Sequence, residues 1–289
     1  MVQALPGAAG GTPGSAGGLT VTISEWGGHT TQSLRAVGGS EPVALLPLGA
    51  VEQHGPHLPL STDARIAEGL SQAAIERCAD DVSVLRLPTL NIGQSIEHAD
   101  YPGTLALEPA TFEAMLYDIG ASVARSGFRR LVMFSAHGGN LAAMDTAALR
   151  LRRDLGLLVI KACYFDFPPP VDAISAREAR EGLHGGALET ALMRHFSPAQ
   201  VVDHQVDHAV SVEYDALAAF EWIGAETRPA RFAWLAGDLN PTGVTGDARC
   251  SDAALGARLA AHYAESLAAI VAETAGFPLA RLSTPHPLT

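Results

Sequence analysis

The stretch Leu45 to Arg65, LLPLGAVEQHGPHLPLSTDAR, carries Glu52, His54, His57 and Asp63 close together, and each of these side chains can bind a metal ion. A set that mixes carboxylates with imidazoles suits Zn, Mn, Fe or Co better than Ca or Mg, which prefer oxygen donors alone. Each residue taken singly has an ordinary explanation: Asp63 as a helix-start carboxylate favoured by the dipole, His57 as a hydrogen-bonded loop histidine. Several ligand types within so short a stretch of an otherwise apolar segment point instead to a metal site.

The apolar run Val43 to Leu48 reads as a fully buried strand, and Gly49 and Pro56 mark the chain leaving it. Along an extended backbone just past that strand, Glu52 and His54 point to the same side and His57 elsewhere. Ser61 and Thr62 have the chemistry of helix caps, which places Asp63 in the first turn of a helix running through Ile66, Leu70 and Ala74. One imidazole and two carboxylates then converge at the end of one strand.

Two further histidines open glycine-rich turns. Arg130 to Ser135 is a strand followed by His137-Gly138-Gly139-Asn140, and open α/β sheets bind ligands at the carboxyl ends of their strands. The amides of Gly138 and Gly139, at the start of a helix Leu141 to Leu155, can hold a carbonyl or carboxylate oxygen; alone, the segment also reads as an ordinary strand-to-helix turn. His184-Gly185-Gly186 opens a helix that continues to Phe196. Glu189 lies inside its apolar run and must be paired, protonated or bound to a metal. A long loop, Thr89 to Thr104, contains Asn91, Gln94, Ser95, Glu97 and His98 and is expected to face the substrate.

Strand and helix patterns alternate through the rest: a strand Val82 to Leu87, a helix Pro109 to Arg125, a strand Leu157 to Phe165, and a helical or lid-like Val171 to Glu181. The C-terminal third suggests a helix Val210 to Trp222, a strand Phe232 to Leu235, a turn-rich loop Gly243 to Asp247 and a long helix Ser251 to Ala275 with a serine available as cap. His204 and His208 are spaced for one helical face, but Asp203, Gln205 and Asp207 around them favour a solvated surface.

The 289 residues, 47% apolar and 17% charged, suffice for one large α/β domain, read here as 19–280 between a Gly/Ala/Pro-rich tail over 1–18 and a C-terminal tail over 281–289. A net charge of -12 without any Lys/Arg block argues against nucleic-acid or anionic-membrane partners. Three isolated cysteines, Cys78, Cys163 and Cys250, with no CxxC spacing, suit a reducing cytoplasm and not a thiolate zinc site. No stretch has the length of a membrane-spanning helix, and no GxGxxG follows the first strand, which excludes a Rossmann-type nucleotide site.

The blocks Pro47-Leu48-Gly49, Glu52 through Pro59, Thr62-Asp63, Tyr101 through Thr104, His137 through Asn140, His184-Gly185-Gly186 with Glu189-Thr190, and Gly243-Val244 with Gly246-Asp247 resemble, in order, those of the creatininase family of metal-dependent amidohydrolases. The resemblance implies a three-layer α/β/α sandwich with a mostly parallel central sheet, two divalent metal ions (Zn, Mn or Fe) and commonly a homo-hexamer. It implies that Glu52 and His137 bind one metal, that His54 binds the other, and that Asp63 bridges the pair. Two positions depart from creatininase itself. The glutamate ligand two residues after the histidine matching His137 is here Gly139, with Glu189 the candidate replacement, and a substrate-closing tryptophan four residues before His184 is here Arg180. The HGGN form is similar to branches that include deformylases of pyrimidine intermediates and a peptidase of peptide-derived redox cofactor maturation.

The expected chemistry is hydrolysis of an amide C-N bond in a small-molecule substrate, whether cyclic amide, formamide or peptide. Two divalent ions lower the pKa of a shared water and polarise the carbonyl, so hydroxide attacks without a protein nucleophile. His184 would carry the proton to the departing nitrogen, with Glu189 beside it in the catalytic set; the Gly138 and Gly139 amides would stabilise the oxyanion, and Ser95 and His98 would face the substrate. The alternative from another class is a non-catalytic metal-dependent binding protein on the same fold.

Overall fold

The structure, a computed structural model, describes residues 25–212, 216–226 and 228–283. The tail expected over 1–18 and residues 284–289 of the C-terminal tail lie outside the described residues.

In chain order come α1 (Thr31–Gly38), β1 (Val43–Leu48), α2 (Thr62–Ile75), β2 (Val84–Arg86), α3 (Pro109–Arg125), β3 (Arg130–Ser135), α4 (Leu141–Leu155) and β4 (Leu158–Cys163). Then follow α5 (Glu178–Glu181), α6 (Ala187–Phe196), β5 (His208–Ala209), β6 (Ile223–Gly224), β7 (Ala230–Arg231), α7 (Ala236–Leu239), β8 (Gly246–Asp247) and α8 (Ala253–Gly276). The central sheet has the order β2-β1-β3-β4 and every pairing in it is parallel.

Every residue of β1 and β3 is buried, which is why the sequence shows continuous apolar runs there. Because side chains alternate across a strand, each run feeds two cores. Val43, Leu45, Val132 and Phe134 pack with Ile66 and Leu70 of α2, Leu192 of α6 and Leu259, Tyr263 and Leu267 of α8. Ala44, Leu46, Leu131 and Met133 pack with Phe112 and Leu116 of α3 and Met144 and Leu151 of α4. The result is the expected three-layer α/β/α sandwich.

Several expectations are corrected. The last helix starts at Ala253, and its cap is Asp252, whose carboxylate accepts from Leu255 N at 2.7 Å, in place of a serine. Ser61 stands at the N-cap position of α2 but makes no side-chain cap bond, and Thr62 Oγ1 donates to Pro59 O instead. Phe232 to Leu235 is not a strand, and the nearby two-residue strand is β7. Of the helix expected over Val210 to Trp222, residues 213–215 lie outside the described residues and Ala216–Ala219 form turns. Within Val171 to Glu181 only the single turn α5 is helical, and His204 and His208 share no helix, lying on a 3-10 turn and on β5. The short helix α1, opened by a Thr30/Ser33 capping box, adds to the elements that the sequence pattern predicts.

Candidate metal centre

The two central strands end side by side. Leu48 pairs with Ser135, so the turns leaving β1 and β3 begin at the same level and carry Glu52, His54 and His137 to the carboxyl edge of the sheet. Gly49 brings α2 to that edge. A Cβ there would lie 2.5 Å from Ala64 Cα and 2.6 Å from Ala64 N, so only glycine admits the first turn of α2 so close to the strand end. Asp63 is thereby held under the strand ends, 1% exposed, with Glu52 and His54 fully buried.

Asp63 stands between two imidazoles. Its Oδ1 is 3.0 Å from His54 Nε2 and its Oδ2 is 3.3 Å from His137 Nδ1. His54 Nδ1–H donates to Glu52 O at 3.2 Å, which leaves Nε2 aimed at Asp63 and, at 3.8 Å, at Glu189 Oε1. On the other side, His137 Nε2 lies 3.3 Å from Glu52 Oε2 and 3.6 Å from Glu97 Oε1. Ligand atoms of His54, Asp63 and Glu189, of Glu52, Glu97 and His137, and of Glu52, His54 and His184 each fall within 4.8 Å of one another.

This donor set fits divalent metal. Both oxygens of Glu52 and Oδ2 of Asp63 are buried without a hydrogen-bond partner. Orphaned buried carboxylate oxygens are costly, and a cation at the cluster relieves that cost. The carboxylate and imidazole mixture is that of a transition-metal site.

The ionisation pattern follows from the crowding. Burial works to lower the pKa of His54, but Asp63 and Glu189 beside it hold it well above the ordinary imidazole range. Burial opposes His137 in the same way, and Glu52 and Asp63 likewise hold it well above that range. Asp63 is desolvated, yet the two imidazoles keep its pKa well below the usual carboxylate range. His184 and His98 are pushed down, chiefly by burial and then by their imidazole neighbours. Burial pushes Glu97 up.

The family model described as creatininase, creatinine amidohydrolase, matches residues 28–271. The chain belongs to the creatininase family. It is 30% identical over 246 residues to the mycofactocin precursor peptide peptidase of Mycolicibacterium smegmatis, covering 83% of this chain and 89% of that protein. To the creatinine amidohydrolase of Pseudomonas putida it is 32% identical over 192 residues, covering 60% of this chain and 71% of that one. A crystal structure of creatinine amidohydrolase superposes with a TM-score of 0.69 at 26% identity, covering 89% of this chain and 99% of that chain. A structure described as creatininase Mn aligns with a TM-score of 0.68 at 25% identity.

Within this creatininase-family centre, the structure brings together Glu52, His54, Asp63, His137, His184 and Glu189, all expected from the sequence. Glu189 is tied down by Gly185 N and by Tyr164 OH, which donates at 3.3 Å. Ser95 is fully buried, its Oγ 3.4 Å from His137 Nε2. His98 stacks on His184 with ring centroids 4.3 Å apart, and its Nδ1 accepts from Gln53 Nε2 at 2.8 Å. Gly138 has open space at its Cα, whereas Gly139 is enclosed. His57 turns away, as expected, and its Nε2 lies 3.0 Å from both Gly185 O and Thr190 Oγ1.

In the sequence, Glu97 is one polar residue among several of a long loop. Its role as a neighbour of Glu52 and His137 depends on how that loop folds back. Leu90 N donates to Pro47 O and Leu107 N to Gly93 O, while Asn140 Oδ1 accepts from Gln94 N at 3.0 Å and Asn140 Nδ2 donates to Gly49 O at 3.1 Å. The available signal was Gly139 itself, a small residue facing the loop.

Proposed function

We propose that this chain is a binuclear metal-dependent amidohydrolase whose substrate is a peptide amide. The observation that carries the metal reading is the pair of imidazole and carboxylate clusters sharing Asp63, with Glu52 and Asp63 oxygens left unpartnered. The peptide is favoured by the relative named as a precursor peptide peptidase, which aligns over most of both chains, and by Arg180 standing where creatininase has its substrate-closing tryptophan.

Bound divalent ions, Zn, Mn or Fe, would supply an activated water and a Lewis acid for the scissile carbonyl. Glu52 and His137 would hold one ion, His54 and Glu189 the other, with Asp63 between them. His184 is arranged to move the proton. Its Nε2–H donates to Gln53 O at 2.7 Å, which fixes the tautomer and leaves the Nδ1 lone pair 3.7 Å from Glu52 Oε1, inside the cluster. Its lowered pKa keeps that lone pair free at neutral pH, so it can accept a proton from water and return it to the departing nitrogen. The amides of Gly138 and Gly139 would stabilise the developing oxyanion. By family resemblance the assembly is a homo-hexamer, and the free cysteines accord with a cytoplasmic setting.

The test is elemental analysis of metal-reconstituted protein together with hydrolysis assays on short peptides, formamides and cyclic amides. Wild type should hold two ions per chain and cleave a peptide. Asp63→Ala should lose both metal and turnover. His184→Ala should keep its metal while losing roughly 10²–10⁴-fold in kcat. Loss of an ion from His184→Ala would make His184 a ligand instead, and a fully active Asp63→Ala protein would overturn the binuclear reading.

A further inference from the structure

Gly139 is a glycine without a backbone reason to be one. Seven described glycines have positive φ and Gly139 is not among them. Its constraint is space: a Cβ at 139 would lie 2.4 Å from Gln94 O, 2.4 Å from His137 Nε2 and 2.5 Å from Glu97 Oε1. The neighbouring Gly138 would meet nothing within 4 Å, so the restriction is local to the side that faces the loop.

We propose that Glu97 is a further protein ligand of the subsite formed by Glu52, His137 and the shared Asp63, and that its carboxylate occupies the room a side chain at position 139 would need. This rests on the binuclear reading above. Three observations carry it. Glu97, Glu52 and His137 offer ligand atoms within 4.8 Å of one another. The Glu97 side chain is only 17% exposed and faces a Glu52 whose two oxygens are fully buried and unpartnered. Like charges brought together at such depth repel unless a cation lies between them.

Charge arithmetic agrees. Glu52, Asp63, Glu97 and Glu189 are the carboxylates of the clusters, so their formal charge matches that of two divalent ions. Around a shared Asp63, Glu189 then completes the His54 half and Glu97 the His137 half. Each half then has one imidazole and one carboxylate beyond those that Asp63 and Glu52 provide or share.

The test is metal binding by metal-free full-length protein, with Mn(II) titrated by calorimetry and bound ions counted by elemental analysis after dialysis. Glu97→Gln keeps the size of the side chain, and circular dichroism of the metal-free variant checks that it folds. The expected result is two tight ions for wild type and one for Glu97→Gln, with the second ion weakened more than ~100-fold, beyond the ~10–100-fold typical of losing a group that only orients a ligand. Glu97→Asp, which keeps the charge on a shorter arm, should recover part of that loss. If Glu97→Gln retains both ions with the second within ~100-fold of wild type, the assignment is overturned while the binuclear reading stands. A wild type that binds no ion overturns both.

Discussion

At the scale of single residues, the centre holds protons where it will hold metal. Burial works to lower the pKa values of His54 and His137, but their carboxylate neighbours raise them well above the ordinary imidazole range, so the metal-free centre favours protonated rings. A metal must displace those protons, so binding should release protons and weaken as pH falls. Calorimetry in buffers of different ionisation heat, repeated between about pH 6 and 8, should show proton release; heats independent of buffer would contradict it. The metal-free fold should behave in the opposite sense on the alkaline side. A raised histidine contributes stability fully below about pH 6.5, lost as pH rises through the folded-state value, while the lowered Asp63 contributes above about pH 3.9, lost as pH falls through its own. The ligand types were legible in the sequence because Glu52, His54 and Asp63 follow one strand. Glu97 was not, since nothing local fixes where a polar loop residue points.

At the scale of elements, strand ends and close approaches do the positioning. Four elements, β1, α3, β3 and α4, have the bounds that hydrophobic pattern and Pro or Gly signals indicate, because they bury faces whose period shows directly in the chain. The segments between 198 and 250 carry two-residue strands and single turns, which have no period to read. Gly49 is the sharpest case of position by contact. Gly49→Ala would drive a methyl into Ala64 and Asp63 backbone, costing about 1–3 kcal/mol as α2 shifts. The Asp63 carboxylate would move with it, so denaturant melts and metal titration of this variant should both change; loss of stability with unchanged metal affinity would mean that α2 does not set the geometry of the centre.

At the scale of the whole molecule, the side chains that could hold metal come from turns after β1 and β3, from the first turns of α2 and α6, and from the loop that follows β2. Such a site exists only in the folded chain, so metal should stabilise the native state by linkage, about 2.7 kcal/mol at a free-ion level 100-fold over Kd. For a chain of this size that is a Tm rise of roughly 4–5 °C, measurable by calorimetry with and without a chelator. An unchanged Tm would show that the ions are not held by the native fold. No helix among the described residues is long and apolar enough to cross a membrane. The side chain of Asn140 bonds the loop at Gln94 N, the β1 turn at Gly49 O and the end of β3 at Ser135 Oγ, the last at 3.2 Å. Its consequence is mechanical: one amide ties three segments, so a displacement of the loop at Gln94 is passed to the end of β3 and to the turn that brings α2 to the sheet, and none of the three rearranges without breaking a bond made by Asn140.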